Sequence, residues 1–287
     1  MNIESGFRDA MRDAGIETHA AIVADGELHR VHVNGDRAAS KNGFYRLYAD
    51  AIPAGVFGCH KRGILQKWRS DQKREPLTKH DRAQMDAACK ARAMEQERGY
   101  SDAAVIGEQI LQRAKGDASQ EVYVTRKAIR PHGVKVNGHG LLVIPIYSSV
   151  NGQLQSVQFI DPDGNKKMLI GGRVSGGCFP FSDMPNFWAN ADSRIGVCEG
   201  WATGATLAES LPTTAIFAAF SAGNLGNVAT ALRARFATAQ ITVFGDNDQS
   251  GTGQKYAIDA AVNANGYVAI PPIPGHDWND YASRRAA

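Results

Sequence analysis

The chain has 287 residues, enough for one large domain or for two to three small ones. With 43 % apolar and 21 % charged residues it has the composition of a folded globular protein rather than a disordered tail, and Lys+Arg 32 against Asp+Glu 29 leaves +3, so only a local patch can point to nucleic acid. No run approaches the roughly 18 apolar residues of a membrane span, and the opening MNIESGFRDAMRDAG lacks the apolar core of a secretory signal. Cytoplasmic localisation with no membrane partner is the expectation.

The cysteines, Cys59, Cys89, Cys178 and Cys198, are far apart and form no C-x-x-C pair, which argues against a zinc ribbon and a disulfide framework. Cys59-His60 has no second ligand pair nearby, so no zinc is expected.

In chain order, residues 1–75 read as a small α+β unit. Phe7, Met11 and Ala14 mark a short amphipathic helix, and apolar runs at 20–23 and 28–33 flank Asp25-Gly26, a hairpin signal. Further strands are expected near 43–48 and 55–58. Residues 76–118 read as a helical connector. Pro76 suits a first turn and Thr78 a cap, Gly99 is expected to break the helix, and Ser101-Asp102 to cap the next one.

Residues 119–190 open with a short helix at 119–129 before Pro131. An antiparallel meander follows: Leu141–Tyr147, an Asn151-Gly152 type I′ turn, Val157–Ile160, an Asp163-Gly164 turn and Lys166–Ile170. From 191 to 287 strands alternate with helices. Strands at 195–198, 214–218, 241–244 and 267–270 enclose helices at 200–211, 224–236 and 253–265, the pattern of a parallel sheet with right-handed crossovers.

Sites on open parallel sheets lie beyond the carboxyl ends of the strands. Glu199 ends the first strand of this set, and Asp246 and Asp248 follow the third. Asp277 and Asp280 come after the fourth. Extended backbone puts Asp246 and Asp248 on one side. Carboxylates gathered this way repel one another, and divalent cations relieve the repulsion, as phosphoryl-transfer sites require. The same residues also read as ordinary loop acids and helix caps. Asn224-Leu-Gly226 opens a helix at a strand end, a weak phosphate-binding signal, and His276 reads either as a phosphate contact or as a loop cap.

Val-Cys-Glu199-Gly200 followed by Gly-Asp246-Asn-Asp248 resembles the Toprim fold. More broadly, 119–285 is similar to the polymerase core of bacterial-type DNA primases, where a small basic α+β subdomain precedes the Toprim sheet. Tyr123-Val-Thr-Arg126-Lys127-Ala-Ile129, Val143-Ile-Pro145-Ile146 and Lys167-Met-Leu resemble elements of that subdomain. Glu199-Gly-Trp-Ala-Thr-Gly-Ala-Thr with Asp277-Trp-Asn-Asp280 is most like primases of phages and conjugative plasmids. The resemblance implies that Glu199 acts on metal or as general acid/base, that Asp246 and Asp248 ligate Mg²⁺ or Mn²⁺, and that Asp280 with Asp277 forms the downstream acidic pair. Lys167, Arg126 and Lys127 are implied to hold template or nucleotide phosphate. Two departures stand out: Thr203 replaces an acid often found four residues after the glutamate, and the usual zinc ribbon is absent.

In the first third, Phe44, Tyr45, Tyr48, Phe57 and Trp68 interleave with Arg46, Lys61, Arg62, Lys67, Arg69, Lys73 and Arg74. Stacking aromatics with phosphate-tracking cations make a single-strand platform; the same residues also make the core and solvated face of a small unit. The expectation is therefore an α/β primase. It would join ribonucleoside triphosphates on single-stranded DNA and, having no Walker A motif, work with a separate replicative helicase. Its rivals are a Toprim nuclease using the same acids and a non-catalytic single-strand-binding accessory.

Overall fold

Apolar side chains one helical turn apart start the fold. Phe7 and Met11 are buried on helix α1, Ile3–Asp13, whose first turn is capped by the Asn2 side chain accepting from the Glu4 N–H. The computed structural model describes residues 2–49, 52–70, 78–181 and 194–286. The chain divides into two compact units, Met1–Met94 and Glu95–Ala287. The segment boundaries expected near 75 and 190, Pro76, and the cations Lys73 and Arg74 lie outside the described residues.

In the first unit, α1 packs on an antiparallel sheet of four strands in sequential order: β1 (His29–Val31), β2 (Gly43–Tyr48), β3 (Ala54–Cys59) and β4 (Ile64–Arg69). Strict alternation on β2 buries Tyr45 and Leu47, and the Phe7 ring meets Tyr45, Phe57 and Trp68 edge-on at 5.8, 5.4 and 5.3 Å. The run at 20–23, expected as a strand, is irregular. Its backbone is satisfied by a side chain instead of a ladder: the Tyr45 hydroxyl accepts from the Val23 N–H at 3.0 Å and donates to the Ala21 carbonyl at 3.2 Å.

Helix α2 runs unbroken over Lys79–Arg113. The break expected at Gly99 does not occur. A glycine inside a helix costs only about 1 kcal/mol, and the Ser101 hydroxyl donates back to the Glu97 carbonyl at 3.0 Å instead of capping a new helix.

In the second unit, the Glu121 carboxylate caps the short helix α3, Val122–Arg126, by accepting from the Tyr123 and Val124 N–H groups. Strands β7 (Leu142–Ser148), β8 (Leu154–Ile160) and β9 (Lys166–Met168) form the expected antiparallel meander. The β7–β8 connection is longer than a type I′ turn: of the Asn151-Gly152 pair only Gly152 takes a positive φ, 74°, and the register shifts between Ile146 and Tyr147. Strands β11 (Arg194–Cys198), β12 (Ala215–Ala218), β13 (Gln240–Phe244) and β14 (Tyr267–Ala269) are parallel, in the order β14-β13-β11-β12. Apolar helix faces cover both sides of this part. Trp201 and Leu207 of α4 (Trp201–Ser210) pack on one face. Leu225, Val228 and Leu232 of α5 (Leu225–Arg235) pack on the other, with Ala257 and Ala260 of α6 (Thr252–Asn263).

Sequence patterning did not anticipate β10 (Gly177–Pro180). It pairs antiparallel with β7 on one side and β12 on the other, and with β5 (Gly116–Asp117) and β6 (Lys135–Val136) it merges meander and parallel strands into one ten-stranded sheet. The buried Asn224 side chain, at the start of α5, secures the join. Its amide donates to the carbonyls of Val174, Gly177 and Ala219 at 3.1, 2.9 and 2.8 Å, and its oxygen accepts from the Gly176 N–H at 2.8 Å. Asn224→Ala strands these buried partners, so urea denaturation is expected to show a loss of about 2–4 kcal/mol. A loss below about 0.5 kcal/mol would show that the join does not depend on this side chain.

Candidate active site

The site grows from the register of two parallel strands. Cys198 of β11 lies beside Phe244 of β13, so Glu199 leaves its strand level with Gly245, one residue ahead of Asp246. The loop after β14 is tied to the same place. The Asn247 N–H donates to the His276 carbonyl at 3.0 Å, the Gly275 N–H donates to the Asn247 carbonyl at 2.6 Å, and the Asn247 amide donates to the Pro271 carbonyl at 2.8 Å. These bonds hold Asp277 next to Asp246. Asp277 also accepts from the Asp280 N–H at 2.8 Å, in the first turn of helix α7 (Trp278–Ala286).

Electrostatics follow from this crowding. Burial pushes the Asp246 carboxyl up to about 7, with Glu199 and Asp277 pushing the same way and Lys166 opposing. Burial also raises Glu199, against the Lys166 ammonium and a hydrogen bond from the Ala222 N–H. Asp248 behaves differently. Burial raises it, but the Ser250 hydroxyl and the N–H groups of Gly253 and Thr252 outweigh that and hold its carboxyl below the usual range. The Gly253 N–H lies 2.5 Å from it, and a Cβ at Gly253 would come within 2.9 Å of the Asp246 carbonyl, so only glycine lets α6 start this close. Asp248 thus serves as the cap of α6, while still close enough to raise both Glu199 and Asp246.

Asp280 pairs with Lys127 at 3.1 Å, and the buried Asn279 amide donates to the Lys127 carbonyl and the Thr206 hydroxyl at 2.8 and 2.9 Å. Together they fasten α7 to the meander subdomain. Arg126, Lys127 and Lys166 line a cleft of about 260 Å³ with Tyr123, Thr203 and Asp277, and the Arg126 guanidinium lies 5.5 Å from the centre of the Tyr123 ring. The lysine that reaches the acids is Lys166, whose Nζ sits 3.6 Å from where a Cβ on Gly200 would be. Lys167, the lysine singled out by resemblance, is its neighbour on β9 and points to the other face. The signal was present in the strand itself: Met168 packs on the core, two residues from Lys166. His276 turns to its own loop, Nδ1 lying 3.2 Å from the Pro274 carbonyl.

The donor set suits a hard divalent cation. Asp246 Oδ1 is buried with no hydrogen-bond partner, and the groups around it are carboxylates. The nearby Cys198 thiol is fully buried, its pKa well raised by that burial, and it donates to the carbonyls of Gly200 and Phe217, so it offers no thiolate. Among the described residues no group of three or more acids, imidazoles or thiols is arranged to hold a metal ion by itself.

Of the cations expected on nucleic acid in the first unit, Lys61 pairs with Asp36 at 2.9 Å, and Arg62 donates to the Gly15 and Asn34 carbonyls. Tyr45 and Phe57 are core, and Trp68 packs on it. Arg46, Lys67 and Arg69 remain on the sheet.

The raised Asp246 carboxyl has a consequence for stability. Between the unfolded value near 4 and the folded value of about 7 the native state holds the extra proton, so metal-free stability is fully present at low pH and is lost as pH rises through 7. The contribution is on the order of 3–4 kcal/mol. Urea denaturation in chelator from pH 5 to 8 is expected to show this decline in the wild type and a much flatter profile in Asp246→Asn; equal slopes would contradict the assignment.

Residues 194–287 match the family model of the Toprim domain. Two proteins of Escherichia coli, both called DNA primase TraC, are similar over nearly the whole chain: one is 32 % identical over 293 residues, the other 30 % over 294. The alignments cover 97 % and 96 % of this chain but 27 % and 20 % of those proteins, so the chain spans about a quarter or less of these relatives. The crystal structure of the primase fragment of the bacteriophage T7 primase-helicase protein aligns with a TM-score of 0.47 at 16 % identity, over 89 % of this chain and 95 % of that one, too loosely to transfer residues. Among the described residues no helix is long and apolar enough to cross a membrane. Residues 194–287 thus match the Toprim domain, and nearly the whole chain is similar to part of DNA primase TraC.

Proposed function

We propose that the chain is the nucleotidyl-transferring part of a cytoplasmic DNA-dependent RNA primase, joining ribonucleoside triphosphates on single-stranded DNA. One observation carries the reading: Lys166, from the meander, reaches the carboxylates at the ends of the parallel strands, so a cationic cleft and an acidic edge share one site. The protein relatives named DNA primase support it.

In this reading Asp246 and Asp277 would hold Mg²⁺ or Mn²⁺, with Asp248 positioning Asp246 from the cap of α6 and Glu199 kept for the proton. Once bound, the ion supplies charge stabilisation for the attacking and leaving oxygens. Arg126, Lys127 and Lys166 orient the triphosphate in the cleft and neutralise its charge. The 3′-oxygen of the primer bonds to the α-phosphorus, the bond from that phosphorus to the bridging oxygen breaks, and pyrophosphate departs. Glu199, raised by burial, takes the hydroxyl proton. Asp280 stays paired with Lys127, which fixes the wall of the cleft rather than a ligand. A separate replicative helicase would deliver the single strand.

Incorporation of labelled ribonucleotides on varied single-stranded DNA, with Mg²⁺ or Mn²⁺, tests the reading. Short products are expected, abolished by Asp246→Ala and reduced about 10²-fold by Lys166→Ala, chiefly in turnover. Lys167→Ala is expected to change little. Metal-dependent shortening of the DNA without incorporation would overturn the reading in favour of a nuclease.

A further inference from the structure

The N-terminal sheet has two unlike faces. Its inner face carries Tyr45, Leu47 and Phe57 against α1, and at the β4 edge a groove is lined by Lys67, Trp68 and Arg69 together with Asp9 and Asp13 of α1. Cross-strand register defines the outer face: Arg30 opposite Phe44, then Phe44 opposite Gly58 and Gly58 opposite Leu65, Arg46 opposite Val56 and Val56 opposite Lys67, Tyr48 opposite Ala54 and Ala54 opposite Arg69. The four strands thus place four cations, Arg30, Arg46, Lys67 and Arg69, on this face and no carboxylate. Lys67 and Arg69 are exposed and stand about 7 Å apart along β4.

The centre of the face is low. A Cβ at Gly58 would strike the Phe44 ring at 2.6 Å, so that ring lies flat across the glycine. The exposed His60 imidazole stacks on Phe44, centroids 4.6 Å apart and planes 30° apart, and the Arg30 guanidinium lies 6.0 Å from the Phe44 centroid. His60 is therefore a flat ring held in place on its inner side. Exposed Leu65 lies on the same face.

We propose that this outer face binds single-stranded DNA, with Arg30, Arg46, Lys67 and Arg69 along the phosphates and His60, backed by Phe44, stacking a base. Cations on the strands with a supported aromatic ring among them form a surface complementary to a flexible polyanion with exposed π-faces. The assignment adds Arg30 and His60 and excludes Lys61, Arg62 and Trp68, which the fold uses elsewhere. It holds whether or not the acidic site transfers nucleotides.

The test is fluorescence anisotropy of the full chain with a labelled oligothymidylate of about 20 nucleotides, in chelator, between about 50 and 200 mM salt. Lys67→Ala/Arg69→Ala is expected to weaken binding at least about tenfold and to lower the log–log salt slope by about 1.4, two phosphates at ~0.7 each. His60→Ala is expected to weaken binding about fivefold or more with the slope unchanged. Arg12→Ala, on α1 at the other face, should bind like the wild type. If the double variant loses its thermal transition, Lys67→Glu at an exposed position reads the same effect. Wild-type affinity in the lysine variants, a blunt duplex bound as tightly as the single strand, or oligouridylate bound more tightly than oligothymidylate would each overturn the proposal. Binding retained without nucleotide incorporation would fail the primase reading alone. No binding by the wild type in chelator, with incorporation persisting at saturating template, would fail this one.

Discussion

Carboxylates held together against their mutual repulsion are the constraint on which the second unit depends. Glu199, Asp246 and Asp277 come from the segments after three different strands, and Glu199 and Asp277 both raise the proton affinity of Asp246. Nothing in the three side chains favours this arrangement, so backbone must impose it. The β11–β13 register aligns the first two, and the exchange of hydrogen bonds between Asn247 and residues 275–276 fixes the third. Asp248 contributes from a different position, spending its oxygens on the start of α6. The result is a site whose charge is unfavourable to the protein alone.

The positive counterpart comes from a separate part of the chain. Lys166 lies on an antiparallel meander, yet it stands beside acids at the end of a parallel sheet because β10 makes the two one surface. Tying Asn279 to Lys127 and Thr206 gives the cleft a second anchor through α7. Positioning by two independent attachments suits chemistry that depends on small distances.

The parallel half was legible from short apolar strands alternating with helices of regular length, and so were the acids at their ends. Three things were not. The β10 strand is only four residues, Gly-Cys-Phe-Pro, with neither period nor length to mark it. Gly99 suggests a break by intrinsic propensity, but the long charged helix on either side carries the backbone through it. Residue type marks the aromatics and cations of the first unit but does not tell which face of a sheet each occupies: Tyr45 and Phe57 turn inward, Lys61 and Arg62 go to local partners, and His60 turns outward onto Phe44. Lys166 and Lys167 differ by one residue, and one residue on a strand reverses the side.

The place of β10 also bears on how this protein can be divided. The Toprim match begins at residue 194, but the strand that closes the β12 edge lies at Gly177–Pro180, upstream of that boundary. A fragment cut at the family boundary would leave β12 with a row of open backbone donors and acceptors, an invitation to pair with another chain. The matched module and the folding unit are therefore different lengths of the same polypeptide.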